Sequence, residues 1–310
     1  MVRSADMSLP VRYVAIQRNP HSGPRTRRQE LLELIRELRR LGFTPRMFSR
    51  RERLRHWMDD ERHRSRLECL VAAGGDGTVD DLVSRYPGVR LAVLPLGTEN
   101  LLAKSLGMTR SGRHLADCIA QGHTRWLDLV EYGDRRFCLL ASAGVDAEII
   151  RRVHLYRRGH ASRWKYGWHI LRSLGAYPFP AMEVLLDDDP VPLVARQVFL
   201  INHPAYALGL KVAADARSDD GLVNVWLFSR GGVGHTFGWF LAAWFGRLDR
   251  SADLVARTAR RVRLSSLDRV PVQVDGDPAG TTPFELTVIP RALEIVVPPR
   301  SPDAVVGPAF

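Results

Sequence analysis

The most informative residues of the 310-residue chain form a short glycine-rich string, Gly74-Gly75-Asp76-Gly77-Thr78. The string follows an apolar run at 68–73, which is typical of a buried strand, and we expect it to open a helix. Glycines let the backbone bend and let bare N–H groups approach phosphate oxygens, and a helix N-terminus adds partial positive charge. Thr78 can cap the helix or bond a phosphate. These residue types predict a phosphate-binding loop.

Asp76 is the member of the string that phosphate binding alone does not explain. A carboxylate beside phosphates would be repelled unless a divalent cation lay between them, so Asp76 indicates Mg²⁺. The alternative is a tight strand-to-helix turn in which the aspartate only caps the helix. The chain contains neither a GxxxxGKS or GxxxxGKT string nor a GxGxxG string, so neither a P-loop nor a Rossmann dinucleotide fold is predicted.

Two further polar loops that contain glycine also follow apolar runs. Pro95-Leu96-Gly97-Thr98-Glu99-Asn100 follows the apolar run at 90–94, and Asn19-Pro20-His21-Ser22-Gly23 follows the run at 12–16. Ligands of open α/β sheets bind at the carboxyl ends of the strands, so all three loops would meet at one sheet edge. Each loop alone is weak evidence, but the three together predict a ligand site.

Strands alternate with helices through the first 124 residues. Apolar runs predict strands at 12–16, 44–49, 68–73 and 90–94, and helical spacing predicts helices at 99–106, at 111–121 and around Leu31 to Leu41, ending at Gly42. This alternation predicts a parallel sheet with helices on its faces.

The pattern changes after about residue 124. Short apolar runs recur at 126–131, 136–141, 182–187, 193–202, 222–228, 260–265, 270–275, 284–289 and 293–297, with helical patterns at 146–157, 164–175 and 232–246. Turn residues separate most of the runs, which predicts an antiparallel β-sandwich. We therefore assign residues 1–124 to an α/β domain and 125–310 to a sandwich domain, with the C-terminal tail able to return to the first.

The composition is that of a soluble globular protein with anionic partners. Hydrophobic residues make up 45% of the chain, and the net charge of +11 favours an anionic partner such as ATP, an acidic membrane surface or nucleic acid. Cys69, Cys118 and Cys138 form no CxxC pair, which favours core thiols in a reducing cytosol. The apolar stretch from Val233 to Phe245 is too short to span a bilayer. We expect a cytoplasmic protein without a nucleic-acid partner.

The stretch from Tyr156 to Arg172 interleaves aromatic and basic residues. Trp164 and Trp168 would suit the headgroup level of a membrane, with Arg157 and Arg158 facing anionic lipid. An ordinary amphipathic helix that covers the sandwich explains the pattern equally well. Peripheral contact with an anionic membrane is therefore one prediction for this stretch.

Five segments together resemble the diacylglycerol kinase catalytic-domain superfamily, which includes bacterial lipid kinases, sphingosine kinases and ceramide kinases. They read NPHSG at 19–23, GGDGTVDD at 74–81, PLGTENLLAKSLG at 95–107, DARSDDGLVNV at 215–225 and VDGDPAG at 274–280. The resemblance implies an N-terminal three-layer α/β domain similar to that of NAD kinases and a C-terminal antiparallel β-sandwich. It also implies that ATP and a lipid meet between the two domains.

The resemblance, together with the loops described above, assigns a set of residues to ATP. Ser49, after the second strand, matches a threonine position that contacts ATP in relatives. The residues expected at the nucleotide are Asn19, Pro20, His21, Ser22, Gly23, Ser49, Gly74, Gly75, Asp76, Gly77, Thr78, Val79, Asp80, Asp81, Thr98 and Asn100. Asp76 is also expected to act in catalysis by organising Mg²⁺, directly or through water.

The resemblance implies a general base as well. In the family this is a glutamate in a DGE motif, where the chain has Asp275-Gly276-Asp277. Asp277 keeps the carboxylate, which can accept a hydroxyl proton, but its side chain is one methylene shorter. The alternative is a β-hairpin turn of the Asp-Gly type.

An acidic turn before a strand resembles a structural Mg²⁺ site of the family. The implied ligands are the side chain of Asp220 and the backbone carbonyls of Arg217 and Leu222, and oxygen ligands of this kind suit a hard cation. A solvated turn is the alternative.

The sequence predicts an ATP-dependent lipid kinase, with diacylglycerol as the leading substrate, phosphatidic acid as its product and a place in phospholipid biosynthesis. Relatives often have Asn-Glu where this chain has Asp80-Asp81, and many diacylglycerol kinases have aspartate and arginine where it has Leu101 and Lys104. The alternatives are a sphingoid-base or other lipid kinase, an NAD kinase, and a non-catalytic regulator that binds nucleotide or lipid.

Overall fold

The computed structural model of the protein describes residues 11–19, 28–157, 175–204 and 216–299. Within them the chain forms two compact units. The first contains the chain up to Val79, then Gly88–Arg125 and the stretch from Glu294 onward, and the second contains Asp80–Pro87 and Trp126–Leu293. Several predicted features lie outside the described residues: Pro20, His21, Ser22, Gly23, Asp215, residues 158–172 and most of the helix predicted at 164–175.

The first unit is built on a parallel sheet. Its strands are β1 (Arg12–Arg18), β2 (Phe43–Phe48), β3 (Leu67–Gly74) and β4 (Leu91–Pro95), in the spatial order β2-β1-β3-β4, and the end of β16 (Phe284–Val296) pairs Ile295 with Leu91. β3 and β4 are almost wholly buried, as expected for parallel strands covered on both faces. All four predicted strands are confirmed.

The helices in the first part of the chain are α1 (Arg28–Arg40), α2 (Arg51–Met58), α3 (Glu61–Arg64), α4 (Asp76–Arg85), α5 (Leu101–Ser105) and α6 (Gly112–Gln121). α1 buries Leu31, Leu34 and Leu38 on one face, and Gly42 follows it with a φ of 84°. α1 packs closely on α6, since a Cβ atom on Gly112 would lie 2.2 Å from the carbonyl oxygen of Glu30. The sequence did not predict α2 and α3, because few of their side chains are apolar.

The second unit contains two mainly antiparallel sheets. One has the order β16-β13-β8-β9, with β5 pairing with β16 and with β6, and the other has the order β12-β11-β10-β7-β14-β15. The strands not yet given are β5 (Thr124–Tyr132), β6 (Arg135–Phe137), β7 (Leu140–Ala143), β8 (Met182–Leu186), β9 (Leu193–Ala195), β10 (Gln197–Ile201), β11 (Val223–Phe228), β12 (Leu254–Ala259), β13 (Arg261–Ser265), β14 (Pro271–Val274) and β15 (Asp277–Thr281). Its helices are α7 (Val145–Arg157) and α8 (Val233–Trp244).

The core of the second unit draws on both sheets. It includes Val184 and Leu264 from one sheet and Leu200, Val225 and Val272 from the other, all of them almost wholly buried. The predicted fold class, a parallel α/β domain followed by an antiparallel β-sandwich, is confirmed. None of the helices in the described part of the chain is long and apolar enough to cross a bilayer.

Some strand boundaries differ from the prediction. The run at 136–141 is divided between β6 and β7, because the amides of Cys138 and Leu139 bind a side chain instead of a neighbouring strand. The runs at 284–289 and 293–297 form one long strand, β16. β12 and β15 were not predicted, because most of their side chains are exposed or half-buried and therefore lack an apolar pattern.

Candidate functional site

Four loops follow the carboxyl ends of the parallel strands. Asn19 follows β1, and its amide donates to the carbonyl of Ala73 at 3.2 Å, beside the glycine string. The Asn19 side chain also donates to Oγ1 of Thr78 at 3.5 Å. On the other side of β3, the amides of Leu96 and Gly97 donate to the carbonyl of Gly74 at 2.9 and 3.1 Å. The structure therefore brings Asn19, the glycine string and the loop after β4 together, as predicted for one sheet edge.

The two glycine loops touch through their backbones. A Cβ atom placed on Gly97 would lie 2.4 Å from the Cα of Gly75, and one placed on Gly75 would lie 3.2 Å from the Cα of Gly97. Side chains essentially never approach a backbone as closely as the first distance, so Gly97 is required for this contact. The glycines therefore serve loop packing as well as access to a ligand.

α4 begins inside the glycine string and presents its N-terminus at this edge. The first-turn amides of a helix carry its partial positive charge, and in α4 the Thr78 amide donates to the Gly75 carbonyl at 2.8 Å. Gly77 is exposed in this turn, whereas Thr78 is buried and lies against Gly74. A phosphate could therefore approach the exposed backbone at Gly77, and the anion site predicted from the sequence stays a prediction.

Asp76 binds the second loop. Its carboxylate oxygens accept from the amides of Leu101 at 3.0 Å and Leu102 at 3.2 Å, which are the first two residues of α5. Burial raises the pKa of the Asp76 carboxyl, and the two amides and the charge of Lys104 oppose that shift. Asp76 does cap a helix, but the helix is α5, and the sequence did not suggest this partner.

The loop after β4 is closed by Asn100. This residue is buried, has a φ of 51°, and both accepts from the Gly97 amide at 2.8 Å and donates to the Gly97 carbonyl at 2.9 Å. Its side-chain amide is therefore engaged in shaping the loop, whereas Thr98 is exposed. Of the two residues of this loop that are predicted at the nucleotide, Thr98 and Asn100, Thr98 has the more accessible polar side chain.

The remaining residues predicted at the nucleotide differ in exposure. Ser49 is exposed directly after β2. Val79 is 2% exposed, so its side chain belongs to the core, and only its backbone could face a ligand. Asp81 forms an ion pair with Arg85 one turn along α4. Asp80 forms a hydrogen bond with Asp275, described below.

The predicted base stands in a tight hairpin. β14 and β15 are antiparallel, Val274 pairs with Asp277, and the two loop residues Asp275 and Gly276 have φ values of 47° and 85°. Two successive positive φ values are those of a type I′ turn, so the hairpin alternative is correct as a description of the backbone. The Asp277 side chain is 56% exposed, and its Oδ1 lies 3.5 Å from Nε2 of His154 on α7. The hairpin leaves Asp277 accessible.

Asp275, the first aspartate of the motif, has a different environment. It accepts from the amides of Cys138, Leu139 and Leu140 at 3.3, 3.2 and 2.7 Å, and it forms a side-chain hydrogen bond with Asp80. Burial raises the pKa of the Asp275 carboxyl to about 6, although these hydrogen bonds oppose the shift. Asp275 thus anchors the turn, and the sequence did not identify this role.

A buried polar network supports the same hairpin. The Gly276 amide donates to Oε1 of Gln273 at 2.9 Å, and Nε2 of Gln273 donates to Oγ of Ser142 at 2.9 Å. Ser142 in turn donates to Asp146 at 2.5 Å. Gln273 and Ser142 are at most 1% exposed. Polar residues within otherwise apolar strands were the available sequence signal for this network.

The predicted structural metal turn is held by a buried carboxylate. Asp128 is 1% exposed and accepts from the amides of Gly221 and Arg291, both at 2.7 Å. Within the turn, Oδ1 of Asp220 accepts from the Leu222 amide at 3.0 Å, and Arg217 contacts Asp219.

The residues present do not require a cation at this turn. Among the described residues there is no cluster of three or more His, Cys, Asp or Glu side chains that could hold a metal ion. Asp128 already supplies the negative charge that binds the turn amides. The Asp220, Arg217 and Leu222 metal site stays a prediction, and no step is derived through it.

Asp76 does fit a Mg²⁺ ion carried with a nucleotide. Its two oxygens accept three backbone amides, those of Leu101, Leu102 and Asp76 itself. A carboxylate offers about four lone-pair sites, so one site is left for a further contact. The carboxylate is half-buried beside the exposed Gly77 backbone, so a water-mediated contact with a cation is chemically reasonable there.

The chain matches two family models. Residues 140–297, just over half of the chain, match the YegS C-terminal NAD kinase beta sandwich-like domain, and residues 14–132 match the diacylglycerol kinase catalytic domain. The two matches together cover most of both described units.

Curated relatives and solved structures have similar lengths. A diacylglycerol kinase of Staphylococcus carnosus is 23% identical over 294 residues, covering 90% of this chain and 93% of the relative. A diacylglycerol kinase of Staphylococcus aureus is 22% identical over 288 residues, covering 90% of both chains. A diacylglycerol kinase structure from Bacillus anthracis superposes with a TM-score of 0.69 at 17% identity, covering 93% of this chain and 97% of that one. The structural likeness supports the shared fold.

Proposed function

Because the chain belongs to the diacylglycerol kinase catalytic-domain family, we propose that it transfers the γ-phosphoryl group of ATP to the hydroxyl group of a lipid. Family membership makes it a kinase, a transferase with an alcohol acceptor. The leading acceptor is diacylglycerol, which would give phosphatidic acid, in keeping with the names of its relatives. A sphingoid base or another lipid alcohol is the next candidate.

The observation that carries the proposal is the contact between the two glycine loops. It holds the start of α4, where Gly77 is exposed, against the loop that carries exposed Thr98, and Asn19 is bonded to Thr78. We propose that the ATP phosphates accept from the exposed Gly77 amide of this turn and that the Thr98 hydroxyl assists. Positioning and charge neutralisation provide most of the catalysis in phosphoryl transfer, so a preformed anion site suits this reaction.

Asp76 has two roles in this proposal. Its bonds to Leu101 and Leu102 hold α5 against the glycine string. Its remaining lone pairs would bind Mg²⁺, directly or through water. A Mg²⁺ ion bound with the nucleotide neutralises phosphate charge.

Asp277 is the proposed general base. As the lipid oxygen attacks the γ-phosphorus, its proton passes to the Asp277 carboxylate, and ADP leaves with the electrons of the broken β–γ bridging bond. The exposure of Asp277 supports the role, since a lipid hydroxyl must reach the carboxylate. Half-buried Asp275 and buried Gln273 hold the turn that presents it.

The test is phosphate transfer from radiolabelled ATP, with Mg²⁺, to a panel of acceptors in mixed micelles. The panel contains diacylglycerol, a sphingoid base and ceramide, and NAD serves as the non-lipid acceptor. We expect transfer to one lipid class, strongest for diacylglycerol, and transfer to NAD alone would contradict the proposal. Tight ATP binding with no transfer to any acceptor would favour the alternative function of a non-catalytic regulator. The shorter side chain of Asp277 also favours that alternative.

A further inference from the structure

One face of α8 is apolar and exposed. Phe237 and Trp244 are 61% and 62% exposed, and Val233 and Leu241 are exposed beside them. At 100° per residue these four side chains fall within about 80° of one another around the helix. Phe245, directly after the helix, is 71% exposed. These five residues are called the α8 apolar face below.

The opposite face of α8 is fixed to the second unit. Trp239 and Ala243 are buried in a cluster that includes Trp226 and Phe228, and Nε1 of Trp239 donates to Asp253 at 3.4 Å. Trp239 and Ala243 therefore form the inward side of α8, and the exposed apolar residues lie on the other side. On the other described helices, large apolar residues are exposed singly, as Leu32 on α1 and Leu155 on α7.

The charged residues that directly flank α8 in the chain are both basic. Arg230 lies before the helix and Arg247 after it, and both are exposed. No aspartate or glutamate occurs between these two arginines. A helix with large aromatic residues on one side, arginines at its ends and no acidic residue is suited to the interface of an anionic bilayer, where aromatic rings lie at headgroup level. A protein partner would be expected to need a mixed polar rim instead.

We propose that the α8 apolar face docks the protein on the surface of an anionic lipid bilayer, with Phe237, Leu241 and Trp244 entering the headgroup region. Arg230 and Arg247 then contact lipid phosphates at the two ends of the helix. The purpose of this docking rests on the proposed function, because a lipid acceptor resides in a membrane. The docking itself is measurable without catalysis.

The test is co-sedimentation of the full chain with vesicles of phosphatidylglycerol and phosphatidylcholine, compared with vesicles of phosphatidylcholine alone. The test variant is Phe237→Ser with Trp244→Ser, and the matched control is Leu32→Ser, which removes an exposed apolar side chain from α1. We expect the double variant to bind anionic vesicles at least about tenfold more weakly and the control to bind as the parent does. Arg247→Glu should weaken binding to anionic vesicles in a salt-dependent way.

A second measurement locates the helix in the bilayer. Brominated lipids should quench tryptophan fluorescence of the parent on binding, and Trp244→Phe should bind normally but lose most of this quenching. Circular dichroism checks that every variant is folded. Equal binding of the parent and the folded double variant would overturn the proposal. So would a parent dimer in ultracentrifugation that becomes monomeric in the double variant with vesicle binding unchanged, since the face would then join two copies.

A third measurement separates this proposal from the proposed function. Phosphorylation of a soluble short-chain diacylglycerol should be the same in the parent and the double variant, whereas phosphorylation of vesicle-borne diacylglycerol should fall in the double variant. Absence of phosphorylation in the parent would count against the kinase proposal while leaving the binding result valid.

Discussion

Gly97 and Gly75 meet backbone to backbone, so that a Cβ atom on Gly97 would lie 2.4 Å from the Cα of Gly75. The reverse distance, from a Cβ on Gly75 to the Cα of Gly97, is 3.2 Å. This asymmetry predicts that the same change, from glycine to alanine, is more disruptive at position 97 than at position 75.

Gly97→Ala should separate the two loops, whereas Gly75→Ala should need only a small adjustment. We expect Gly97→Ala to lower the free energy of unfolding by about 1–3 kcal/mol, as for overpacked sites, and to weaken ATP binding. Gly75→Ala should cause a smaller loss both of the free energy of unfolding and of ATP affinity. Urea unfolding and ATP titration would check the order, and equal effects of the two substitutions would contradict the proposed contact.

Asp76→Asn should affect both stability and turnover. An asparagine has one side-chain oxygen, so at least one of the Leu101 and Leu102 amides would face an NH₂ group, at a cost of about 1 kcal/mol. Loss of the charge facing Mg²⁺ should lower turnover by about 100-fold or more, equivalent to roughly 2.7 kcal/mol of transition-state stabilisation.

Ser111→Ala is the control for Asp76→Asn. Ser111 caps α6 by accepting from the His114 amide at 3.2 Å, and it has no proposed catalytic role. The Ser111→Ala variant should lose a similar free energy of unfolding, about 1 kcal/mol, while its turnover stays unchanged. A well-folded Asp76→Asn variant with normal turnover would remove Asp76 from the mechanism.

Asp277→Asn should slow the chemical step, because it keeps the shape of the side chain but cannot accept the proton. The expected loss is about 100-fold or more in single-turnover phosphorylation, with ATP affinity little changed. Asp277→Glu should retain substantial activity, since it restores the side chain of the family motif. Unchanged single-turnover rates in the asparagine variant would show that the base lies elsewhere or that a loose transition state needs none.

Asp275 should make the free energy of unfolding depend on pH. Burial raises the pKa of Asp275 from 3.8 to about 6, so the folded state binds this proton more tightly than the unfolded chain does. The resulting stabilisation is complete below about pH 4 and is lost as the pH rises through about 6. Asp80→Asn removes the second carboxyl and supplies an amide that can donate to the Asp275 carboxylate.

The free energy of unfolding of Asp80→Asn, relative to that of the parent, should therefore rise by about 1 kcal/mol between about pH 4.5 and pH 7. Urea unfolding at both pH values is the measurement. Asp188→Asn is the matched control for the loss of one carboxyl group, since the Asp188 side chain is 97% exposed. If the free energies of unfolding of Asp80→Asn and the parent differed by the same amount at both pH values, the proposed effect of the hydrogen bond between Asp80 and Asp275 would be contradicted.

Asp128→Asn should destabilise the second unit, because both oxygens of Asp128 accept backbone amides in a buried position. We expect a loss of about 1–3 kcal/mol, the usual cost of an unsatisfied buried group. Chelation of divalent cations by EDTA should leave the melting temperature of the parent unchanged, since Asp128 itself closes the turn. A large drop on adding EDTA, together with a similar drop in Asp220→Asn, would instead favour the predicted cation site.

The sequence by itself determined most of the buried helices and strands and the order of the loops. Local patterns carry this information: the glycine string, the buried runs before it, and the helical spacing of Leu31 and Leu38. Such patterns follow from backbone sterics and apolar periodicity, which act over a few residues. The parallel first sheet, the antiparallel sandwich and the meeting of Asn19 with the glycine loops followed from these patterns. Residues Pro20 to Gly23 lie outside the described part, so their assignment to ATP stays a prediction.

Only the tertiary structure decided which groups the polar side chains bind. Asp76 is bonded to Leu101 and Leu102, Asp275 to Cys138 and Leu139, and Asp128 to Gly221, all far apart in the chain. A carboxylate in a loop looks the same in sequence whether it binds a cation, a proton or a backbone amide. Its partner depends on which amides the folded sheets leave unpaired nearby, and that is set by long-range packing.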